Sequence, residues 1–146
     1  MIQITQFIAT FFCMIFTGAA VYISFVEHPA RLSCGIKIAA TEFIPSYRRA
    51  TIMQASLALL SGILSLSAWL LGGSFWWLIG GIVIFSVIPF TLIIIMPTNN
   101  KLISPSLNQS ESETKKLLDR WGRLHAVRSV LSIFASCIFL YLLIYS

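Results

Sequence analysis

Charge is what this 146-residue chain has least of. Asp, Glu, Lys and Arg together make up 10% of it, and only 5 residues are acidic. An ordinary soluble domain carries about 25% charged residues, so a water-facing globule of this length lacks the polar surface to cover itself. Cysteine is equally sparse. Cys13, Cys34 and Cys137 show no paired or CxxC spacing, which excludes a disulfide scaffold and argues against a haem or thiol-redox motif. No Gly-rich phosphate loop and no nucleophile elbow is present, so nucleotide and acyl-transfer chemistries have no sequence support.

What the chain has instead is apolar length. Hydrophobic residues make up 58%, and mean hydropathy is +0.88. Four uninterrupted apolar stretches run over 7–26, 50–71, 75–96 and 126–145, the last span being taken from 124. Each approaches the ~20 residues that carry a helix across a hydrocarbon core. The expected fold is therefore an all-α membrane protein, a single-domain bundle of four transmembrane helices. The first stretch lacks a basic n-region and is longer than an ordinary h-region, so it reads as a span and not as a signal peptide.

The charges that do exist are placed asymmetrically. Arg31, Lys37, Arg48 and Arg49 follow the first span. Lys101, Lys115, Lys116, Arg120, Arg123 and Arg128 lie between the third span and the start of the fourth. With four spans both groups fall at one end, and the positive-inside rule puts that end in the cytoplasm of an inner (plasma) membrane, with both termini outside. The excess of +5 then serves topology and anionic headgroups; nucleic acid is not an expected partner. The bilayer is, and a homo-oligomer stays open.

Local signals predict where the helices begin and end. The first is expected to stop near Glu27-His28-Pro29, because proline disfavours helix in the residue before it. Loop 28–43 would lie at the interface, with Thr41 capping the second helix, Pro45 in its opening turns, and Tyr47 and Arg48 at headgroup level. Trp69, Trp76 and Trp77 bracket the Gly72-Gly73-Ser74 turn like an aromatic belt. Gly18, Ser61, Ser65, Gly80 and Gly81 would allow close helix packing. Pro89 is expected to bend the third helix, which ends at Met96-Pro97, and 98–109 reads as loop. Ser110 and Glu113 then form a capping box for a fourth helix that continues to Tyr145 and extends into the cytoplasm. Leu117, Trp121, Leu124 and Arg128 share one of its faces.

Ionisable residues inside lipid are costly, so their depth is informative. Glu27 and His28 close the first span, Asn99 and Asn100 follow the third, and Trp121, His125 and Arg128 open the fourth. All lie at the basic end, where a four-helix bundle gathers them at one mouth. The apolar run after Arg128 gives only about 24 Å at ~1.5 Å per residue, which draws Arg128 into the inner edge of the hydrocarbon. It either snorkels or faces inward, paired with Glu27 or holding an anionic group. His28, His125 and Glu27 formally make two histidines and a carboxylate. Glu27 and His28 nevertheless point about 100° apart on a helix, so no metal site is expected.

The same residues carry a family likeness. Val26-Glu27-His28-Pro29-Ala30-Arg31-Leu32, Pro45-x-Tyr47-Arg48-Arg49-Ala50, Met96-Pro97-Thr98-Asn99-Asn100-Lys101-Leu102 and Trp121-x-x-Leu124-His125-x-x-Arg128 follow one another in order. Together they resemble the anthrone-oxygenase-like family of small four-span membrane proteins. The resemblance implies oxidation of an anthrone, a hydrophobic aromatic small molecule, to an anthraquinone by dioxygen, with no recognised cofactor. Within that chemistry His125 or His28 would be the base. Arg128, Asn99 or Asn100 would donate to the oxyanion, Trp121 and Tyr22 would form a flat wall, and Glu27 would contact substrate. The competing class is a non-enzymatic bundle that holds a lipid headgroup or a partner helix. A transporter fits less well, because four spans without an inverted repeat give little to rock.

The topology has a direct check. In a background lacking Cys34 and Cys137, cysteines placed at Lys37 and Lys115 should label only after the membrane is permeabilised. Labelling from the outer face of sealed cells would reverse the orientation.

Overall fold

A computed structural model describes residues 2–104 and 110–145, and among these every regular element is helical. Four helices are long and apolar enough to cross a membrane: α1 (Ile2–Ser33), α2 (Ile36–Leu70), α3 (Trp76–Ile103) and α4 (Glu111–Tyr145). They pack in a ring in which α1 and α3 each touch α2 and α4. A third or less of each span's most apolar stretch is buried, so the rest, including Phe7, Ile63, Ile82 and Phe134, forms the lipid-facing surface.

All four helices run further than the apolar stretches suggested. α1 continues through Pro29 to Ser33, and α3 through Pro97 to Ile103. The same device lets them through. A five-residue π-turn, Ile23–Glu27 in α1 and Thr91–Ile95 in α3, lies just upstream of each proline. The His28 N–H reaches the Ile23 carbonyl and the Met96 N–H the Thr91 carbonyl. A proline ring presses on the carbonyl four residues back and offers no N–H; widening the turn ahead of it relieves both, so the helix bulges instead of ending.

The expected loop 28–43 is therefore mostly helix. Gly35, at φ 95°, makes the break after Ser33, and α2 starts at once at Ile36. Thr41 does not cap α2; its hydroxyl bonds the Lys37 carbonyl within the helix at 2.9 Å. Pro45 lies inside the helix. Of the predicted loop 98–109, residues 98–103 are helical, and 105–109 lie outside the described residues. Ser110 does cap α4, its Oγ accepting from the Glu113 N–H at 3.3 Å. The α2–α3 turn closes by a Schellman arrangement, with Gly72 at φ 97°, Gly72 N–H to Trp69 O and Gly73 N–H to Ala68 O, both 3.0 Å. Trp77 is fully buried and stacks on Phe139 at 5.1 Å; of the three tryptophans expected in a belt, it belongs to the core.

Two apolar clusters fill the bundle. One, around Phe16, Ala58, Trp77, Ile84 and Phe139, occupies the membrane-spanning part. The other, around Ile23, Phe43, Ile95, Leu102, Leu118 and Trp121, fills the extended basic end. Helix 1 and helix 4 are joined by a polar seam. Cys13, Thr17, Ala20 and Ser24 face Ser136, Ser132, Ser129 and His125 in antiparallel order, each set at spacings of four, three and four. Thr17 Oγ1 lies 3.1 Å from the Ser132 carbonyl and 2.8 Å from Ser136 Oγ. In lipid, where leucine gains little by packing on leucine, small hydroxyl residues let backbones approach and bond across.

Close approach also explains Gly80. A Cβ there would meet the Phe139 ring, with Cδ1 at 2.9 Å. Gly80→Ala should lower stability by about 1–3 kcal/mol, the usual cost of overpacking, read as an earlier thermal transition in detergent. Gly18, where an added Cβ meets nothing within 4 Å, is the control and should tolerate Ala.

Candidate functional site

Between the two apolar clusters lies a small, partly enclosed chamber. Ile23, Glu27 and Arg31 of α1 line it, with Phe43, Ser46, Tyr47 and Gln54 of α2 and Trp121, His125 and Arg128 of α4. Its volume is about 20 Å³, room for one or two water-sized molecules. Beside it, open to the surface between α1 and α2, runs a groove of about 480 Å³ lined by Tyr22, Glu42, Pro45, Arg49 and Met53 among others. Ile23, Glu27, Ser46 and Ala50 line both. They form a shared wall.

Trp121 is the floor of the chamber and is 5% exposed. Its indole stacks on His125 at 4.9 Å, meets His28 at 5.1 Å and takes the Phe43 ring edge-on at 5.1 Å. His28 gets this close because residue 122 is glycine: a Cβ there would lie 2.6 Å from His28 Nε2. His28 is buried behind Trp121 and does not line the chamber. His125 is buried and does.

A chain of hydroxyls holds His125. Ser129 Oγ donates its single proton to the Ala20 carbonyl at 3.0 Å. The 2.8 Å contact between Ser129 and Ser24 is then donated by Ser24. With its own proton spent, Ser24 Oγ can only accept from His125 Nδ1, 3.1 Å away. This arrangement of protons assigns the imidazole an Nδ1–H and leaves the lone pair on Nε2. Ser24 lies within the first π-turn, which rotates it toward α4. Neither Ser24 nor Ser129 stood out in the sequence; the matched four-three-four spacing of polar residues on α1 and α4 was the available signal.

The charged side chains pair differently from the sequence expectation. Glu27 is bonded by Arg31 and by Ser46 Oγ, the latter at 2.6 Å, and Arg31 also pairs with Glu42. Because α1 continues past Pro29, Arg31 sits one turn from Glu27 and takes the place proposed for Arg128. Arg31 is 6% exposed, with its guanidinium carbon 5.6 Å from the Phe43 ring centre and 5.8 Å from that of Trp121. It is a site residue that the motif reading assigned no role.

Arg128 faces inward. Its Nη2 donates to Gln54 Oε1 at 2.6 Å, and its guanidinium carbon lies 5.5 Å over Phe16. Both described ion pairs use Arg31, so among the described residues no carboxylate neutralises Arg128. Arg31 Nη1, Gln54 Nε2 and Arg128 Nε are buried without a hydrogen-bond partner.

The other candidates fall apart spatially. Tyr22 is 55% exposed and lines the outer groove, not a wall with Trp121. Asn99 is fully buried with neither amide atom bonded, outside the chamber lining. Asn100 is exposed. Tyr47, expected at headgroup level, turns into the chamber, its hydroxyl 3.7 Å from Met96 Sδ. On α4 the buried stripe is Leu118, Trp121, His125, Ser129 and Ser132, with Leu117, Leu124 and Arg128 on its flank. No group of three or more His, Cys, Asp or Glu among the described residues could hold a metal ion.

Residues 43–138 match the family described as Anthrone oxygenase. The chain is also similar to the Anthrone oxygenase tpcL of Aspergillus fumigatus, 37% identical over 62 residues. That stretch is 40% of this chain and 38% of the relative's length. No solved structure matches. The family match takes in Gln54, Trp121, His125 and Arg128; Glu27, His28 and Arg31 precede it and are brought to the same place by the fold.

The tautomer is directly measurable. Nitrogen-15 NMR of the detergent-solubilised protein should show His125 protonated at Nδ1 and bare at Nε2. Ser24→Ala should shift His125 toward a mixture of tautomers, and a wild-type Nε2–H form would contradict the assigned chain.

Proposed function

Because the chain belongs to the anthrone oxygenase family, we propose that it oxidises a planar aromatic substrate of the anthrone type with dioxygen at the chamber between α1, α2 and α4. The observation that carries this reading is His125, buried on the chamber wall with Nδ1 tied to Ser24 and Nε2 free to take a proton.

The substrate lies in the groove, whose ~480 Å³ falls within the usual ~300–1,000 Å³ of small-molecule sites. It reaches the groove sideways from the bilayer, with its rings beside Tyr22 and Met53. Its reactive methylene is presented at the shared wall of Ile23, Glu27, Ser46 and Ala50. Two aryl rings and the carbonyl conjugated through them acidify that methylene. His125 Nε2 removes one proton, directly or through a water in the chamber, and the electron pair delocalises into an electron-rich phenolate-type anion. The Ser24–Ser129–Ala20 chain holds the imidazole as the charge appears on it. Arg31, clamped between Glu27 and Glu42, fixes the wall.

The anion passes one electron to dioxygen. The resulting carbon radical and superoxide combine to form a C–O bond. The peroxide anion takes back the proton from the imidazolium. Loss of the second methylene proton then breaks the O–O bond, and hydroxide leaves with a proton as water. One anthrone and one dioxygen give one quinone and one water, so neither an external reductant nor an electron-carrying group is required. We place the basic end of the bundle, and with it the chamber, on the cytoplasmic side.

The test is turnover. Purified protein in detergent, given an anthrone in aerobic buffer, should form the quinone faster than the protein-free control, followed by its visible absorbance. His125→Ala should reduce the rate about 10²–10⁴-fold, the usual worth of a general base, with His125→Gln as the fold-preserving companion. A rate equal to the control overturns the anthrone assignment. Full activity in both His125 variants and in His28→Ala overturns a histidine base.

A further inference from the structure

The substrate fits the groove, and that leaves the chamber itself to be explained. It is too small for any ring, yet three of the residues that line it each keep a buried N–H with nothing to bond: Arg31 Nη1, Gln54 Nε2 and Arg128 Nε. Gln54 is 1% exposed and Arg31 6%. Gln54's orientation is set by its Oε1, which accepts from Arg128, so its NH₂ is the free end. Charge points the same way. The Arg31 charge is met by Glu27 and Glu42, while Arg128 leans only on a neutral amide and an aromatic ring. Unpaired donors and an uncompensated guanidinium at membrane depth are unfavourable unless something negative joins them.

We infer that the chamber is a binding site for a compact oxygen monoanion, superoxide in the proposed reaction, held by Arg128, Gln54 and Arg31. This deepens the oxygenase reading and rests on it for the identity of the anion. Dioxygen enters the chamber uncharged and takes one electron from the substrate anion at the shared wall. The carbanion is oxidised to a radical and dioxygen is reduced to superoxide, with no proton moved in that step. The waiting donors stabilise the charge where it develops and cost no reorganisation, which is how preorganised sites lower such barriers. The superoxide is held against the radical until the C–O bond forms. A second, more apolar cavity of about 70 Å³ on the far side of Gln54 and Arg128, lined by Ala55, Val87, Ile88 and Leu92, offers dioxygen a route from the lipid that does not cross the substrate groove.

Azide, a linear monoanion of comparable size, is the probe. Titrated into the detergent-solubilised protein without substrate, it should give a saturable, shifted infrared stretch. Gln54→Leu and Arg128→Met should each weaken binding about tenfold or more, as expected for a lost hydrogen bond to a charged group. Gln54→Glu, which keeps the size and adds a negative charge, should abolish it, and unchanged thermal transitions would show the variants folded. Absence of a saturable band in the wild type, or equal affinity in the folded variants, overturns the anion site. Because this arm needs no turnover, it stands or falls apart from the anthrone assignment. With an active substrate, azide competitive against dioxygen supports the superoxide role. Azide competitive against the anthrone and not against dioxygen overturns it, placing the substrate's own oxyanion in the chamber.

Discussion

The seam between α1 and α4 is the constraint on which the site depends. In a bilayer the two helices gain little from apolar contact alone, and hydroxyl-bearing residues supply the specificity. Cys13, Thr17 and Ser24 meet Ser136, Ser132, Ser129 and His125. The last member of the seam, His125, is held through Ser24 and Ser129. A shift of α4 by one residue would break several of these bonds together. The geometry around His125 is therefore an outcome of how two spans recognise each other.

The π-turns are the second element of that geometry. Pro29 and Pro97 would ordinarily end α1 and α3 near the membrane edge. The wide turns over Ile23–Glu27 and Thr91–Ile95 let both helices continue, with two consequences. Ser24 is turned toward His125, and Arg31 lies one turn beyond Glu27, close enough to pair with it and with Glu42. The extended ends of all four helices then enclose a second apolar cluster around Phe43, Leu118 and Trp121. That cluster shields the polar chamber on its basic side, as the membrane-spanning core shields it on the other.

Shielding gives the polar groups their strength. Around Trp121 a chain of rings packs against His125 and Arg31. In such surroundings a directed donor is worth more than in water, and an unpaired one is a correspondingly strong claim on a ligand. A roomy groove with Tyr22 and a minute chamber with Arg128 lie side by side. Glu27 and Ser46 stand between them.

The sequence by itself determined the class, the number of spans and the end at which the polar residues gather. These follow from apolar runs of about bilayer length and from where ten basic residues fall, which are one-dimensional properties. It also marked Trp121, His125 and Arg128 as a group, because spacings of four and three share a helix face. Helix ends were misread wherever proline was taken as a stop, since the relief of a proline by an upstream π-turn depends on neighbours that reward the longer helix. Depth gathers Asn100 with the polar residues of the basic end, but depth does not say which way a side chain points, and Asn100 is exposed. Partner choice was decided only by the tertiary structure. Glu27 went to Arg31 and not Arg128, Arg128 to Gln54, and His125 to Ser24, because hydrogen bonds in a closed bundle depend on ångström-scale distances between helices far apart in the chain.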